Sequence, residues 1–117
     1  MNQIQPYIVP TLIIIYFAWR FFRFKKVRAQ MPELLKKGAI VIDVRSSAEF
    51  SAGASPGSLN IPLDRLEKEI KKLDHQKPII LCCASGSRSA LAAHMLKKQG
   101  FETVINGGSW SNVVHTI

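Results

Sequence analysis

The sequence predicts an α/β fold: a three-layer domain whose parallel central sheet is covered by helices on both faces, preceded by one N-terminal transmembrane helix. Residues 39–44 and 78–82 form near-continuous apolar runs, which are typical of strands buried on both faces of a parallel sheet. Helix-like segments alternate with these strands, and such alternation indicates two covering layers. A further apolar stretch near the N-terminus carries no charge. The 117 residues therefore suffice for one domain and one membrane segment.

The other elements follow from caps and periodicity. Pro32 at a first helical position, followed by Glu33 and ended by Gly38, predicts a short capped helix. Leucine and isoleucine at helical spacing predict a helix with one buried face over residues 63–73. Further elements are expected as a short helix over 46–52, a short strand over 59–61, a helix over 89–99 ended by Gly100, and a strand over 103–105. The domain is expected to occupy residues 31–117.

The N-terminal stretch from residue 4 to residue 24 has the length of a transmembrane helix. Arg20 and Arg23 lie at its end, where long side chains reach the interface, and aromatic residues cluster beside them. Pro10 lies inside the span, which membrane helices tolerate. A cleaved signal peptide would need basic residues before the apolar run and a small-residue cleavage site after it, and both are missing. A buried N-terminal helix of the domain is the other alternative.

Charge predicts the orientation of this segment. The net charge is +8, and five of the 16 basic residues but none of the 8 acidic ones fall within residues 1–29. These basic residues follow the apolar stretch, and several of them lie in a linker predicted at residues 25–30. The positive-inside rule therefore predicts a single-pass membrane protein whose domain faces the cytoplasm. Nucleic-acid binding is not expected, since no aromatic residues interleave with a basic face in the domain.

The cysteines and histidines do not predict a metal site. Cys82 and Cys83 are adjacent, so they cannot staple the fold, and they lack the second ligand pair that zinc requires. His75, His94 and His115 share no ligand spacing with the cysteines or with each other. No metal and no cofactor are therefore expected.

The segment after the strand at 78–82 carries the strongest chemical signal. It begins with Cys83 and otherwise contains small residues and Arg88, which adds a fixed positive charge. Backbone N–H groups of such a loop can turn inward and a helix N-terminus adds partial positive charge, so a thiol held there ionises more readily. A buried structural cysteine is the alternative for Cys83. Cys82 is expected to point into the core, with a vicinal disulfide or the resolving of a sulfur intermediate as its alternatives.

Four segments, in order, resemble motifs of the rhodanese (thiosulfate sulfurtransferase-like) family in its single-domain form. They are Asp43-Val44-Arg45 with Glu49-Phe50 after a strand, Pro-Gly-Ser-Leu-Asn-Ile-Pro at 56–62, the C-x-x-G-x-R-S loop at 83–89, and Asn-Gly-Gly-Ser-Trp at 106–110. The resemblance extends from about residue 27 to the C-terminus. One departure is Ala54-Ser55, where the family usually carries histidine and isoleucine before Pro-Gly. It concerns local packing and substrate fit, because that histidine is not the nucleophile.

The resemblance implies a rhodanese-like domain and a sulfurtransferase. Cys83 would take the sulfane sulfur of thiosulfate or of a persulfide donor and pass it, as a cysteine persulfide, to a thiophilic acceptor. The expected substrate-binding residues are Ala84, Ser85, Gly86, Ser87, Arg88 and Ser89. Asp43, Arg45 and Glu49 would support the site structurally, with Glu49 pairing with Arg45. The expected partners are a small-molecule sulfur donor and acceptor or a protein persulfide partner, together with the membrane.

Two other functions remain open. Cysteine-dependent phosphatases place five residues between cysteine and arginine, whereas four separate Cys83 from Arg88 and five separate Cys82 from it. No general acid for phosphate ester hydrolysis is identifiable. The second alternative is a non-catalytic module that presents a rhodanese-like surface to a protein partner at the membrane. Arg88 also has a structural alternative, which is an ion pair with a buried acid below the loop.

Overall fold

One parallel sheet of four strands lies at the centre of the described chain, which comprises residues 5–116 of a computed structural model, without the side chains of residues 24, 27, 28 and 114–116. The strands are β1 (Ile40–Asp43), β2 (Leu59–Asn60), β3 (Ile79–Cys83) and β4 (Val104–Ser109). Their order across the sheet is β2-β1-β3-β4, and each neighbouring pair is parallel. The carboxyl ends of these strands therefore meet at the same edge.

Helices of the described chain pack on both faces of this sheet. They are α1 (Gln5–Lys36), α2 (Ser47–Ala52), α3 (Leu63–Glu69), α4 (Ser87–Lys98) and α5 (Trp110–Thr116), with a 3-10 turn at Ile70–Lys72 after α3. α3 and α4 cover one face, and α5 with the C-terminal part of α1 covers the other. The predicted α/β fold with a covered parallel sheet is confirmed, and α5 is an element that the sequence did not predict.

The two faces of β3 build two separate cores. Ile79, Leu81 and Cys83 face the larger core, whose other side chains include Leu66 of α3 and Ala92 and Leu96 of α4. Ile80 and Cys82 face the smaller core, which contains Met31, Val41 and Val113. Because side chains alternate along a strand, the two neighbouring cysteines are buried in different environments.

A capping box fixes the start of α2 at the carboxyl edge of the sheet. The Ser46 hydroxyl accepts the Glu49 N–H at 3.3 Å, and the Glu49 carboxylate accepts the Ser46 N–H at 3.2 Å. These reciprocal bonds satisfy two of the amide groups that a helix N-terminus leaves unpaired. The box thereby orients the Glu49 side chain near the end of β3.

α1 is one continuous helix that ends before Gly38, where a φ of +88° turns the chain toward β1. Residues 25–30, predicted as a linker, lie within α1, and so does Pro32, predicted to begin a separate helix. The C-terminal part of α1 packs on the smaller core, whereas the large apolar side chains between residues 7 and 22 are exposed.

The predicted transmembrane helix and the membrane localisation built on it are wrong. Among residues 5–116, no helix combines the length and the apolar character needed to cross a bilayer. The uncharged part of α1, residues 5–19, extends only about 22 Å at 1.5 Å per residue, against a hydrocarbon core of about 30 Å. The prediction reached the required length by counting Arg20 and Arg23 inside the span. Residue 4, its first residue, lies outside the described chain.

Candidate active site

Cys83 ends β3 at the carboxyl edge of the sheet, where ligands bind in folds of this kind. Residues 84–86 form a tight turn, and α4 begins immediately after it. Gly86 has a φ of +99°, in the left-handed region that favours glycine. A Cβ at this position would also lie 3.3 Å from the Cα of Gly108. The turn therefore requires glycine at 86 both for its conformation and for its packing.

The Cys83 side chain is buried beneath this turn. The Gly86 N–H donates to Cys83 Sγ at 2.8 Å, and the Ser89 hydroxyl oxygen lies 3.5 Å from the same sulfur. Burial alone would raise the pKa of the Cys83 thiol, but hydrogen bonds from the Ser89 hydroxyl and from the backbone N–H groups of Ser89, Ser85 and Gly86 outweigh it and lower the pKa. The turn thus favours the thiolate, which is the nucleophilic form of cysteine.

Arg88 is bound by Glu49 of α2. Two hydrogen bonds join them, from Nη1 to Oε1 at 2.7 Å and from Nη2 to Oε2 at 3.0 Å. The hydrogen bond from Arg88 is the main cause that lowers the pKa of the Glu49 carboxyl to about 2, and the same contact raises the pKa of Arg88. The side chains are 36% and 39% exposed, so the acid that pairs with Arg88 lies at the surface and not in the core.

Arg45 connects the end of β1 to α2 and α5. Its guanidinium donates to both carboxylate oxygens of Asp43 at 2.7 to 3.0 Å and to the Gly53 carbonyl at 2.7 Å. It also lies over the Trp110 ring, with 4.8 Å between Cζ and the ring centroid. Its contact with Glu49 is a hydrogen bond to the backbone carbonyl at 3.3 Å, so the carboxylate that was predicted to pair with Arg45 pairs with the loop arginine.

Asn106 of β4 connects the turn at residues 84–86, here called the cysteine turn, to the end of the sheet. Its Nδ2 donates to the Gly86 carbonyl at 3.0 Å, and its Oδ1 accepts from the Ser89 hydroxyl at 2.6 Å and from the Gly108 N–H at 2.9 Å. Sequence reasoning treated Asn106 only as part of a family motif. An asparagine directly before two glycines at a strand end was the available signal for a polar residue that closes an irregular turn.

β4 is irregular where it passes the cysteine turn. Leu81 pairs with Asn106, but Cys83 pairs with Ser109, so β4 holds one more residue than β3 in this interval. Gly107 occupies the bulge, where a Cβ would lie 3.1 Å from the Leu81 carbonyl oxygen. This bulge brings the Asn106 amide to the turn.

The remaining predicted loop residues lie at the rim of the site. Ala84, Ser85 and Ser87 are exposed, and the hydroxyl oxygens of the two serines are 3.3 Å apart. An open groove of about 520 Å³ borders Arg88 and continues past the starts of α2 and α3, where Arg65 lies on its wall. The structure thus brings all the predicted loop residues to one edge of the sheet, next to a groove large enough for a small molecule.

Cys82 lies in the smaller core on the opposite face of the sheet. It is fully buried and, like Cys83, is a free thiol. Burial raises the pKa of the Cys82 thiol to about 12, and the Asp43 carboxylate contributes to the rise. In the part of the chain that the structure describes, no group of three or more histidine, cysteine, aspartate or glutamate side chains could hold a metal ion.

The Ala54-Ser55 pair lies in the turn before β2. Ser55 is buried, and its hydroxyl oxygen has no hydrogen-bond partner among the described residues. Its carbonyl accepts from the Ser58 N–H at 3.1 Å and from the Ser58 hydroxyl at 2.6 Å. The departure from the family pattern therefore falls on this turn.

Comparison with known proteins identifies the family. A model of the rhodanese-like domain matches residues 27–115. Over 66 residues, 56% of the chain, the sequence is 42% identical to YrkF of Bacillus subtilis, and the match covers 36% of that protein. It is 32% identical over 88 residues to the thiosulfate sulfurtransferase GlpE of Pseudomonas savastanoi, covering 73% of this chain and 83% of that one. The solved structure of the human single-domain sulfurtransferase TSTD1 superposes with a TM-score of 0.64 at 25% identity, over 74% of this chain and 91% of that one.

The chain therefore belongs to the rhodanese-like domain family. Within it, the relative GlpE carries the name thiosulfate sulfurtransferase and TSTD1 the name single-domain sulfurtransferase, and at the level of the family they support sulfurtransferase activity.

Proposed function

We propose that the protein is a sulfurtransferase that moves a sulfane sulfur from thiosulfate or a persulfide donor to a thiophilic acceptor through a persulfide on Cys83. The proposal depends above all on one observation, the 2.8 Å hydrogen bond from the Gly86 N–H to Cys83 Sγ at the start of the 12-residue helix α4. This amide, the helix N-terminus and the Ser89 hydroxyl all favour negative charge on the sulfur. We assign the activity to a domain at residues 31–117.

In the first step, the Cys83 thiolate attacks the outer sulfur of thiosulfate. The S–S bond of thiosulfate breaks as the Sγ–S bond forms, and the electron pair leaves with sulfite. Cys83 then carries a persulfide whose terminal sulfur holds the negative charge. No oxidant is required, because the sulfur passes between two nucleophiles as a neutral atom.

In the second step, a thiophilic acceptor such as cyanide or a thiolate attacks the terminal sulfur. The Sγ–S bond breaks, its electron pair returns to Sγ, and thiocyanate or a new persulfide leaves. The N–H groups that stabilise the thiolate also lie beside the persulfide, so the turn offers donors to the anion in each state. The acceptor is a small molecule or a protein thiol that reaches the groove bordering Arg88.

The residues of the site divide between binding and support. The Ser89 hydroxyl and the backbone N–H groups of Ser85, Gly86 and Ser89 are the donors to anionic sulfur. Arg88 contributes less charge than a free arginine, because Glu49 holds it in a two-bond ion pair. Asp43 and Arg45 keep the ends of β1 and α2 in place.

Phosphate ester hydrolysis is the rival reaction. The five-residue spacing that it needs is met only from Cys82, whose side chain lies in the smaller core and whose thiol has a pKa of about 12. Only four residues separate Cys83 from Arg88, which is one fewer than phosphate ester hydrolysis needs. A non-catalytic binding module would have no use for a thiol whose pKa is lowered by converging N–H groups.

Sulfur transfer from thiosulfate to cyanide by the full-length protein and two matched serine variants tests the proposal. Cys83→Ser should abolish turnover, whereas Cys82→Ser should keep most of it, because only Cys83 lies in the turn. Hydrolysis of an aryl phosphate is the control reaction and should be absent from all three proteins. Full turnover by Cys83→Ser, or a phosphatase activity that depends on either cysteine, would overturn the proposal.

A further inference from the structure

Asn106 binds the two residues whose groups contact the reacting sulfur. Its Nδ2 donates to the Gly86 carbonyl, and its Oδ1 accepts the Ser89 hydroxyl proton. Gly86 and Ser89 in turn contact Cys83 Sγ, through the Gly86 N–H at 2.8 Å and the Ser89 Oγ at 3.5 Å. One side chain from β4 thus supports both contacts from outside the turn.

The partners of Asn106 explain why a primary amide suits this position. The Gly108 N–H at 2.9 Å needs an acceptor, and the Gly86 carbonyl at 3.0 Å receives a donor. An asparagine side chain offers both groups without a charge. Aspartate would lack the donor and add negative charge near the thiolate, and alanine would lack both groups.

The Ser89 hydroxyl has one proton and three acceptors within reach. Its oxygen lies 2.6 Å from Asn106 Oδ1, 3.1 Å from the Gly86 carbonyl oxygen and 3.5 Å from Cys83 Sγ. While Cys83 is a thiol, its S–H can donate to Ser89, which donates to Asn106. When Cys83 ionises, the Ser89 proton turns to the sulfur, and Asn106 Oδ1 keeps the Gly108 N–H. The exchange leaves each donor with an acceptor.

We infer that Asn106 is a positioning residue for sulfur transfer, which holds the Gly86 peptide and the Ser89 side-chain oxygen beside Cys83 Sγ, so that both groups can donate to the thiolate when it forms. The inference rests on the proposed function, in which Cys83 is the reacting thiol. The titratable groups that interact with Cys83 include Arg88 on α4, which Glu49 of α2 holds, and Cys82 on β3. Asn106 extends the site from the turn to the edge strand β4.

The test is the pH dependence of Cys83 alkylation by iodoacetamide in the full-length protein, measured on the peptide that contains Cys83. Asn106→Ala should move the midpoint of the alkylation profile to higher pH by about one unit, because the Gly86 peptide and the Ser89 side chain lose the group that holds them beside the sulfur. Persulfide formation from thiosulfate at neutral pH should fall in parallel. A folded Asn106→Ala protein with the wild-type midpoint would overturn the inference.

Asn60→Ala is the matched control. The Asn60 amide also donates to backbone carbonyls at the carboxyl edge, those of Asp43 and Arg45, each at 3.0 Å. Its removal should lower the unfolding midpoint and leave the alkylation profile unchanged. If Asn106 only stabilised the fold, both variants would behave in this way.

A second pair of variants tests whether Asn106 acts through Ser89. Ser89→Ala should also move the midpoint to higher pH, and the double variant should shift by less than the sum of the single shifts, because both changes affect one hydroxyl. Additive shifts would contradict the inference. If Asn106→Ala does not fold, Asn106→Ser takes its place with the same two outcomes. Alkylation needs no sulfur donor, so a protein that shows these shifts but forms no persulfide would refute the proposed function and leave standing the support that Asn106 gives to the thiolate.

Discussion

Cys82 faces the smaller core between the sheet and helices α1 and α5, whereas Cys83 faces the larger core and the turn that leads into α4. Both side chains are fully buried. Burial raises the pKa of Cys82 to about 12, while at Cys83 hydrogen bonds from Ser89 and the turn outweigh burial and lower the pKa. Burial raises the pKa of both thiols, and the hydrogen bonds at Cys83 reverse the direction of its shift.

The alternation of side chains along β3 assigns these environments. A shift of one residue in a strand moves every side chain to the other face. The register of β1 and β3, with Asp43 opposite Cys82, therefore determines which cysteine meets the turn. A vicinal pair in sequence becomes one structural thiol and one candidate nucleophile.

Selective labelling should show the largest effect. In the folded protein at neutral pH, iodoacetamide should label Cys83 faster than Cys82 by on the order of 10³-fold or more, because the high pKa of Cys82 leaves almost no thiolate. Mass spectrometry of the digested protein gives both rates. In denaturant the two rates should become similar, which is the control. Comparable rates in the folded protein would contradict the contrast between the two environments.

Gly86→Ala should reduce the difference in reactivity between Cys83 and Cys82, because it disrupts the turn beside Cys83. The φ of +99° and the 3.3 Å approach to Gly108 leave no unstrained place for a Cβ, so the N–H groups should move away from the sulfur. Sulfur transfer should fall on the order of 10²-fold, as expected for a misplaced catalytic group.

Gly38→Ala is the control for backbone strain alone. Gly38 also has a positive φ, +88°, but an added Cβ would meet nothing within 4 Å. This variant should lose about 1 kcal/mol of stability and keep its activity. Equal activity in the two alanine variants would show that the turn at Gly86 does not control the reaction.

Glu49→Gln should have the smallest effect, which depends on pH. The pKa of Glu49 is about 2 in the folded protein, against an ordinary value of 4.5, so its ion pair with Arg88 stabilises the fold above pH 4.5 and loses this effect as the pH falls toward 2. The difference in unfolding free energy between wild type and Glu49→Gln should shrink over that interval.

Denaturant unfolding at a series of pH values measures this difference. Glu33→Gln is the matched control, since Glu33 forms an exposed pair with Lys37 at 3.7 Å that should contribute little at any pH. A Glu49→Gln difference that stays constant down to pH 2 would show that the Arg88 pair does not set the Glu49 pKa.

The sequence predicted the parts of the site that are local in the chain. The apolar runs at 39–44 and 78–82 became β1 and β3, and the turn with Gly86 lies within four residues of the strand end. The pairing of Glu49 with Arg88 and the contact of Asn106 with Gly86 join residues 39 and 20 positions apart. These contacts depend on how parallel strands bring their ends together, which no local pattern encodes.

The N-terminal predictions failed for a different reason. The hydropathy of the N-terminal stretch correctly indicated a helix, which is the N-terminal part of α1. Arg20 and Arg23 limit the length of its uncharged part, so its exposed apolar residues were wrongly interpreted as a membrane span. Pro32 predicted a helix start because proline is favoured at that position. In the structure Pro32 lies inside α1, as Pro10 does. The local sequence does not distinguish a proline that begins a helix from one that lies within it.

Mass analysis of the protein after incubation with thiosulfate tests the central claim most directly. The intact chain should gain the mass of one sulfur atom, reductant should remove it, and the digested protein should carry the added sulfur on Cys83. Cys82→Ser should gain the same mass, and Cys83→Ser should gain none. Sulfur found on Cys82, or no gain by a folded wild-type protein, would contradict the assignment of Cys83 as the nucleophile.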